Sequence, residues 1–503
     1  MRMRRRTLLA GLATAPAATL GGISGGTAHA QTIDDRERFD SAYAASPPRD
    51  DLNNETGGLA WGTSYLMNAL VRMYEATCDP SYVQELARVG RNVLAQRDSD
   101  RGVTDYLGRS GPVWRTAGNY TAAVAEIPDA AGMPTLDVRY SGPRSSEATV
   151  DVAVAGDSFS LVLHHPLHDS NTLEGLSLDQ ASPDFVEDRV HSEAYGAGAR
   201  WTAVVRGGAA ALPEAGAFPF RALYYAFAVH TGQISYPLAA FARLVLTNPA
   251  LSGHQRTAQE FAAAAREAVA FHDEEWRESG ADRGDYVWPV GAPLNFDGTI
   301  QPFNQSHGLG QTIAELQRIE PTAEYANKVG RMVRSWRNDR VLLGDAAVWS
   351  YWPTYSEVYR GWARGEVEST YTPSYGATTS AEDLSHAAIT IEFLRAAQQA
   401  GVEATEGDLA SLAATYREFV VRDTDHVWGR VDGSAEATAS QVSQIGRWLP
   451  LAAQGSNLES HIRAVYLSSG SPSRGLNTAY LHWASVDGWT LRCSGRRPVR
   501  RPR

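Results

Sequence analysis

The feature that most constrains the fold of this chain is a recurring pair of amphipathic helices with a proline break between them. Within residues 59–98, Leu66, Leu70 and Met73 recur at steps of three and four, which gives one apolar helical face. Pro80 then interrupts the pattern, and the same period resumes behind it. Two such segments joined by a few residues predict an αα-hairpin.

The same pattern returns along the rest of the chain. Further hairpins are predicted at residues 220–246 with 255–276, 304–319 with 323–336, 382–400 with 407–421, and 440–453 with 457–467. About five to six hairpins at loose spacing predict a mainly α fold, an (α/α) toroid whose inner helices line a funnel and whose outer helices cover them. An open superhelical stack of the same hairpins is the alternative.

Residues 119–206 depart from the helical period. Segments at 150–154, 159–163 and 201–205 alternate in polarity or are rich in β-branched residues, with turn residues between them. We therefore expect a β-rich module inserted between the first two hairpins. The predicted organisation is a signal peptide at 1–30, the first part of the toroid at 31–118, the β-rich insertion at 119–206, the remainder of the toroid at 207–485 and a basic disordered tail at 486–503.

The first 30 residues are typical of an export signal. Arg5 and Arg6 precede an apolar stretch, and Ala28-His29-Ala30 supplies a cleavage site of the small-x-small type. The paired arginines favour the twin-arginine route, so we expect a secreted protein. Removal of four arginines from the 46 basic residues leaves 42 against 57 acidic ones, a net charge of −15 with His neutral. This acidic body argues against nucleic acid or a membrane as a partner.

Composition and motifs exclude several other classes. No window holds the ~18 apolar residues that a membrane-spanning helix needs. Two cysteines, Cys78 and Cys493, are too few for a disulfide framework or a thiolate metal cluster. The sequence has no P-loop, no dinucleotide-type glycine-rich loop and no His-Glu-x-x-His motif. We therefore expect no metal and no cofactor.

One candidate functional segment begins the third hairpin. Asn304, His307 and Gln311 fall on one helical face at steps of three and four, and two glycines in the same turns allow close approach. Three polar groups on one stripe suit a helix that lines a cavity. The alternative is an ordinary helix start, in which Asn304 is the cap and His307 is exposed.

The second candidate is an aromatic cluster with the loop that follows it. Trp349, Tyr351 and Trp352 lie within four residues. Aromatic rings are costly to expose, so they are expected either to anchor the loop in the core or to hold a ligand such as a sugar, whose C–H faces stack on Trp and Tyr. The loop carries four further candidates, which are Arg360, Arg364, Tyr371 and Tyr375.

The loop ends at Glu382 and His386, which share a helical face close to a helix N-terminus. The positive end of the helix dipole disfavours a protonated imidazole, so His386 is expected to act as a base. A buried structural histidine is the alternative. Ser380 and Asp383 have capping-box spacing, which gives Asp383 a structural role.

These segments together resemble bacterial α/α-toroid carbohydrate-active proteins related to the C-terminal domain of glucuronyl C5-epimerase and to toroidal polysaccharide lyases. The resemblance covers roughly residues 55–118 and 215–450. It implies an enzyme that removes the C5 proton of uronic acids, as a lyase or a C5-epimerase, with an acidic polysaccharide or oligosaccharide as its partner.

The resemblance also implies roles for the candidate residues. The catalytic candidates are His386, Tyr375, Asn304, His307, Glu382 and Arg360, and the substrate-binding candidates are Trp349, Tyr351, Trp352, Gln311, Tyr371 and Arg364. Arg360, Asn304 and His307 would neutralise the uronate carboxylate, while His386 or Tyr375 takes the proton and the other donates one.

Two alternatives remain open. In a glycoside hydrolase of the same fold, two carboxylates would flank the scissile bond. Glu382 or Asp383 would supply one, and the candidates for the other are Asp345, Glu357, Glu366 and Asp105. In a secreted glycan-binding protein, the aromatic residues would bind sugar and nothing would be turned over.

Overall fold

The structure, a computed structural model, describes residues 34–196, 199–207, 211–455, 457–470, 475–488 and 493. The predicted signal peptide at 1–30 and most of the predicted tail at 486–503 lie outside the described residues. The α-helices are α1 (Asp35–Ala45), α2 (Ser64–Thr77), α3 (Pro80–Leu94), α4 (Asp98–Arg101), α5 (Val186–Ala194), α6 (Ala228–Leu246), α7 (Gln255–Ala270), α8 (Phe303–Ile319), α9 (Ala323–Asp339), α10 (Glu357–Arg360), α11 (Leu384–Gln399), α12 (Glu406–Thr415), α13 (Ala439–Val442), α14 (Leu458–Ser468) and α15 (Leu476–Ser485).

The strands form four antiparallel sheets within the described residues. They are β1 (Ala123–Pro128), β2 (Pro134–Tyr140), β3 (Thr149–Ala155), β4 (Ser158–His165), β5 (His168–Leu176), β6 (Tyr195–Gly196), β7 (Ala199–Val205), β8 (Gly216–Pro219), β9 (Arg221–Ala222), β10 (Trp276–Ser279), β11 (Arg283–Tyr286), β12 (Val341–Leu343) and β13 (Ala346–Val348). The larger sheets have the orders β6-β7-β2-β1-β9 and β5-β4-β3-β8, and the smaller ones are the pairs β10-β11 and β12-β13.

The predicted fold class is wrong. The chain is a mixed α/β protein with 47% helix and 19% strand, and not a mainly α toroid. The strands extend past residue 206 as β8 to β13, each of which has only two to four residues. A period of two cannot be recognised in so short a segment, so the sequence pattern missed these strands.

The first four predicted helix pairs are confirmed, except that the second begins at Ala228 and not at residue 220, because residues 216–222 form β8 and β9. In the last pair the first member is a 3₁₀ segment, Ile445–Gln454. Two proline breaks mark where helices begin. Asp79 caps α3 by accepting a hydrogen bond from the Ser81 backbone N–H at 3.0 Å, with Pro80 in the first turn. Thr322, next to the break at Pro321, caps α9 in the same way. Because proline tolerates the first helical turn but not the interior, each break ends one helix and starts the next.

Six helical segments pack side by side, each against the next. In order they are α2, α6, α8, α11, the 3₁₀ segment Ile445–Gln454 and α15, and α15 in turn contacts α2. The α6–α8 contact is the closest approach, since a Cβ atom on Gly232 would lie 2.0 Å from the carbonyl oxygen of Gly308. Only glycine permits two helix backbones to meet at this distance.

Neighbours in this series run parallel, because their contacts advance in the same direction along both helices. These contacts are Arg72–Tyr236 and Glu75–Arg243 for α2 and α6, Gly232–Gly308 and Arg243–Glu315 for α6 and α8, and His307–Thr390 and Arg318–Gln399 for α8 and α11. The N-termini of these helices therefore lie at one end of the series. Toward the other end, the buried ion pairs Arg72–Glu75 and Arg243–Glu315 fill the interior.

The two larger sheets share a separate core. Strand β4 alternates half-buried and buried positions, and its inward residues Phe159, Leu161 and Leu163 pack with Leu136 and Val138 of β2. Helix α5 packs against β7. The alternation fixes the register, because a slip of one residue would turn every apolar side chain outward.

A disulfide joins Cys78, at the end of α2, to Cys493. The Asn248 amide also donates a hydrogen bond to the Cys493 carbonyl at 2.9 Å. Cys493 belongs to the segment predicted as a disordered tail, and this bond attaches it to the helical region. No helix in the described part of the chain is long and apolar enough to cross a membrane.

Candidate functional site

The N-terminus of α11 carries a paired carboxylate and imidazole. Asp383 is the N-cap, and its Oδ1 atom accepts hydrogen bonds from the Ser385 and His386 backbone N–H groups at 2.8 and 3.1 Å. Its Oδ2 atom lies 2.5 Å from Nδ1 of His386. Burial opposes ionisation of Asp383, but the contacts with His386 and Ser385 hold its pKa below the usual range. Asp383 is therefore a carboxylate that orients the imidazole.

His386 is the one member of this pair with a substantially open face. Its side chain is 38% exposed, and among the described contacts Nε2 has no protein partner. A histidine held at Nδ1 by a carboxylate presents Nε2 as a base, the arrangement that aligns imidazoles in many hydrolytic sites. The sequence placed His386 near a helix start, as the structure does. The carboxylate nearest to its Nδ1 atom is Asp383, while Oε1 of Glu382 lies 3.8 Å away.

Glu382 lies beneath the pair. Its side chain is 0% exposed, and its Oε1 atom accepts a hydrogen bond from the Asp383 backbone N–H at 3.1 Å. Burial, and then the neighbouring Asp383 charge, raise the pKa of Glu382 well above its usual value. A carboxyl group with no exposed surface does not reach a substrate. The structure therefore does not place Glu382 as a catalytic residue. It lies behind the Asp383–His386 pair and supports it.

Aromatic rings extend from His386 in a continuous row. Neighbouring ring centroids lie 4.8–5.5 Å apart in the order His386, Tyr351, Trp352, Phe296, Tyr375 and Trp362. Burial, and then the charges of Glu382 and Asp383, raise the pKa of the Tyr351 phenol above its usual value. Tyr351 is therefore a protonated donor beside the imidazole, a place that the sequence had assigned to Tyr375.

The polar stripe of α8 does not reach an open surface. Asn304, His307 and Gln311 are at most 1% exposed. His307 is stacked between Phe303 and Phe393, with centroids at 5.7 and 4.4 Å, and burial lowers its pKa to about 3. His307 belongs to the α8–α11 contact through Thr390 and Phe393, whereas the buried amides of Asn304 and Gln311 make no hydrogen bond within the described residues. No described contact joins any of the three to His386.

The loop candidates have separate positions. Arg360 is exposed at the end of α10, and no described contact joins it to His386. Arg364 is ion-paired with Asp188 of α5, and Tyr371 is buried beneath Arg139, whose guanidinium lies 5.1 Å from the ring centroid. These residues attach the loop to the sheets.

Trp349 is a core residue. It packs edge to face against Trp336, with ring centroids 5.7 Å apart. Asp297, which is 0% exposed, accepts hydrogen bonds from Gly291, Ser369, Thr370 and Tyr371. The hydrogen bonds to this carboxylate hold the aromatic loop in place and so fix the position of the row of rings.

Two further residues near the site escaped sequence analysis. Phe296 has a positive φ of 71° in a loop without periodicity, so only its aromatic character was visible. Arg430 pairs with Asp383 through an isolated β-bridge, and its charge acts on Glu382. No ion pair among the described residues involves Arg430, so a cation is available there for an anionic ligand. Arg430 lies 44 positions after His386, so the sequence did not associate the two residues.

Three potential metal ligands also lie together at this site. One ligand atom each from Glu382, Asp383 and His386 lie within 4.8 Å of one another. Metal bonds of about 2.0–2.2 Å set adjacent ligand atoms roughly 3 Å apart. The 2.5 Å separation of Asp383 Oδ2 and His386 Nδ1 is shorter than this, so the two atoms are not spaced as ligands of one metal ion.

The four candidates for the second carboxylate of a hydrolase lie apart from the Asp383–His386 pair. The Asp105 carboxylate is taken up by the Leu107 and Arg109 N–H groups, and Glu357 accepts from the Ile300 N–H. Glu366 accepts from the Ala363 N–H, and Asp345 lies in the exposed β12–β13 turn. None of these four contacts His386 or Asp383 among the described residues.

Comparison of the chain with known protein families, with curated proteins and with solved structures gave no match.

Proposed function

We propose that the protein is a secreted enzyme that removes the C5 proton of uronic acid units in an acidic glycan, as a lyase or a C5-epimerase. The observation that carries the proposal is the Asp383–His386 pair, which is open at Nε2 and is flanked by Tyr351 and a row of aromatic rings. A base, a neighbouring proton donor and faces for sugar stacking are the groups that this chemistry needs.

The first step is proton abstraction. Nε2 of His386 takes the C5 proton, and the electron pair left at C5 delocalises into the uronate carboxylate. The resulting charge must be stabilised, and Arg430 is the cation beside the pair that has no acidic partner among the described ion pairs. The net charge of the protein is negative and would repel an acidic polymer, and this local positive charge offsets that repulsion at the site.

The second step decides the product. In a lyase the C4–O bond breaks, the double bond forms between C4 and C5, and the Tyr351 hydroxyl donates its proton to the leaving oxygen. In an epimerase the opposite face of C5 receives a proton instead. Both outcomes use the same pair and the same donor, so the proposal covers the shared step.

Secretion is part of the proposal. Structural disulfides persist in oxidising compartments, and the Cys78–Cys493 bond supports export together with the predicted signal.

The test is turnover of a panel of uronate polymers in D₂O. A lyase produces the ultraviolet absorbance of an unsaturated uronate, and an epimerase incorporates deuterium at C5 without it. His386→Ala should reduce either signal by at least about 100-fold, the usual contribution of a general base. His426→Ala is the matched control, because His426 lies 2.9 Å from Asp423 in an exposed pair of the same spacing.

Three results contradict the proposal. Full activity of His386→Ala would show that His386 is not the base. Release of reducing ends without absorbance or deuterium incorporation would identify a hydrolase. Binding without turnover identifies a glycan-binding protein.

A further inference from the structure

A groove lies at the same end of the helices as His386. It has a volume of about 640 Å³ and is lined by residues before α2, by the end of α1 and by the starts of the 3₁₀ segment and α15. Its wall includes Tyr43, Trp61, Tyr65 and Gln444. This volume is within the range of small-molecule sites, which are about 300–1,000 Å³.

Two aromatic residues of the groove are fixed from behind. The Trp61 indole N–H donates to Nε2 of His230 at 3.0 Å. The Arg447 guanidinium lies 5.1 Å from the Tyr65 ring centroid, and Arg447 is itself paired with buried Glu392. Rings that are already held in place lose little conformational freedom when a ligand stacks on them. The groove is therefore prepared for a flat apolar face.

The aromatic residues of the groove and of the catalytic region pack on one apolar cluster. Trp61 packs against the apolar cluster that also contains Tyr351 and Trp352. The N-terminal ends of α2 and α11 lie at the same end of the helical series, so Trp61 and His386 border one surface.

We propose that this groove binds the sugar units that flank the reacting uronate, so that the enzyme reads a stretch of the polysaccharide chain. This inference rests on the proposed function. Sugar C–H faces stack on Trp61 and Tyr65, and the amide of Gln444 and the hydroxyl of Ser443 meet sugar hydroxyls.

The experiment measures binding of uronate oligosaccharides of increasing length to protein that carries His386→Ala. Calorimetric titration does not require turnover, so it separates the groove from the chemistry. We expect affinity to rise with length, and Trp61→Ala to weaken binding of the long oligosaccharides about tenfold while the shortest one is unaffected. Trp276→Ala is the matched control, since Trp276 is a half-buried indole that packs against Tyr286, with ring centroids 5.2 Å apart, and does not line the groove.

A second variant protects the test from misfolding. Gln444→Trp fills the groove without removing a core side chain, and it should give the same loss for long oligosaccharides. Equal length profiles for the parent, Trp61→Ala and Gln444→Trp would overturn the groove proposal, as would the absence of oligosaccharide binding. A self-association that Gln444→Trp abolishes would assign the groove to a second copy of the chain instead. Failure of the proposed function appears separately, as an active His386→Ala variant.

Discussion

The disulfide between Cys78 and Cys493 should contribute a large part of the stability of this protein. The two residues are 415 positions apart, so the bond closes nearly the whole chain into a loop. Loop closure lowers the entropy of the unfolded state by about 2.1 + 1.5R ln n cal/mol/K, which for this loop is about 6 kcal/mol at 25 °C. Measured effects are usually smaller, so we expect a loss of about 3–6 kcal/mol when the bond is removed.

The perturbation is the double substitution Cys78→Ala with Cys493→Ala, which leaves no free thiol. Urea unfolding at 25 °C, followed by tryptophan fluorescence, should show a lower midpoint for the double variant than for the oxidised parent. Reductant should lower the midpoint of the parent and leave the variant unchanged. Equal midpoints for the oxidised parent and the variant, or two titratable thiols in the parent without reductant, would refute the reasoning.

Three further predictions concern buried groups. Glu382→Gln should raise stability at neutral pH, because the raised pKa of Glu382 means that unfolding releases its proton. The gain in stability over the parent should increase from about pH 4 upward, as measured by thermal melts. Burial raises the pKa of Asp285 to about 7, so its contribution to stability should fall between about pH 4 and pH 7, and the Asp285→Asn melting profile should be flatter there; an unchanged slope contradicts this. Gly232→Ala should abolish folding or cost more than about 3 kcal/mol, because its Cβ would meet the Gly308 carbonyl, whereas Gly62→Ala, with open space around it, should be tolerated in the same denaturation assay.

The hairpin helices were predictable because their signals are local. A period of 3.6 over several turns, closed by a proline, reports both the helix and its end within about 20 residues. The short strands β8 to β13 were not predictable, since two to four residues carry no period and the pairing partner lies elsewhere in the chain. This is why the fold class was wrong while the helices that build it were found.

The site was only partly visible for a related reason. His386, Tyr351, Trp352 and Tyr375 were identified by residue type and spacing, and the structure brings them into one row. Burial decided the rest, because Asn304, His307 and Gln311 have the spacing of a lining stripe yet are at most 1% exposed. A helical period shows which residues share a face but not which neighbour that face meets.

The contact between α15 and α2 has a consequence for synthesis of the protein. The apolar face of α2 is complete soon after the first hairpin emerges, but the helix that covers it begins at Leu476, about 400 residues later. At about 5–20 residues per second, the ribosome needs roughly 20–80 seconds to supply it. The nascent chain therefore exposes part of the apolar face of α2 throughout that interval. We expect chaperones to bind it until translation ends.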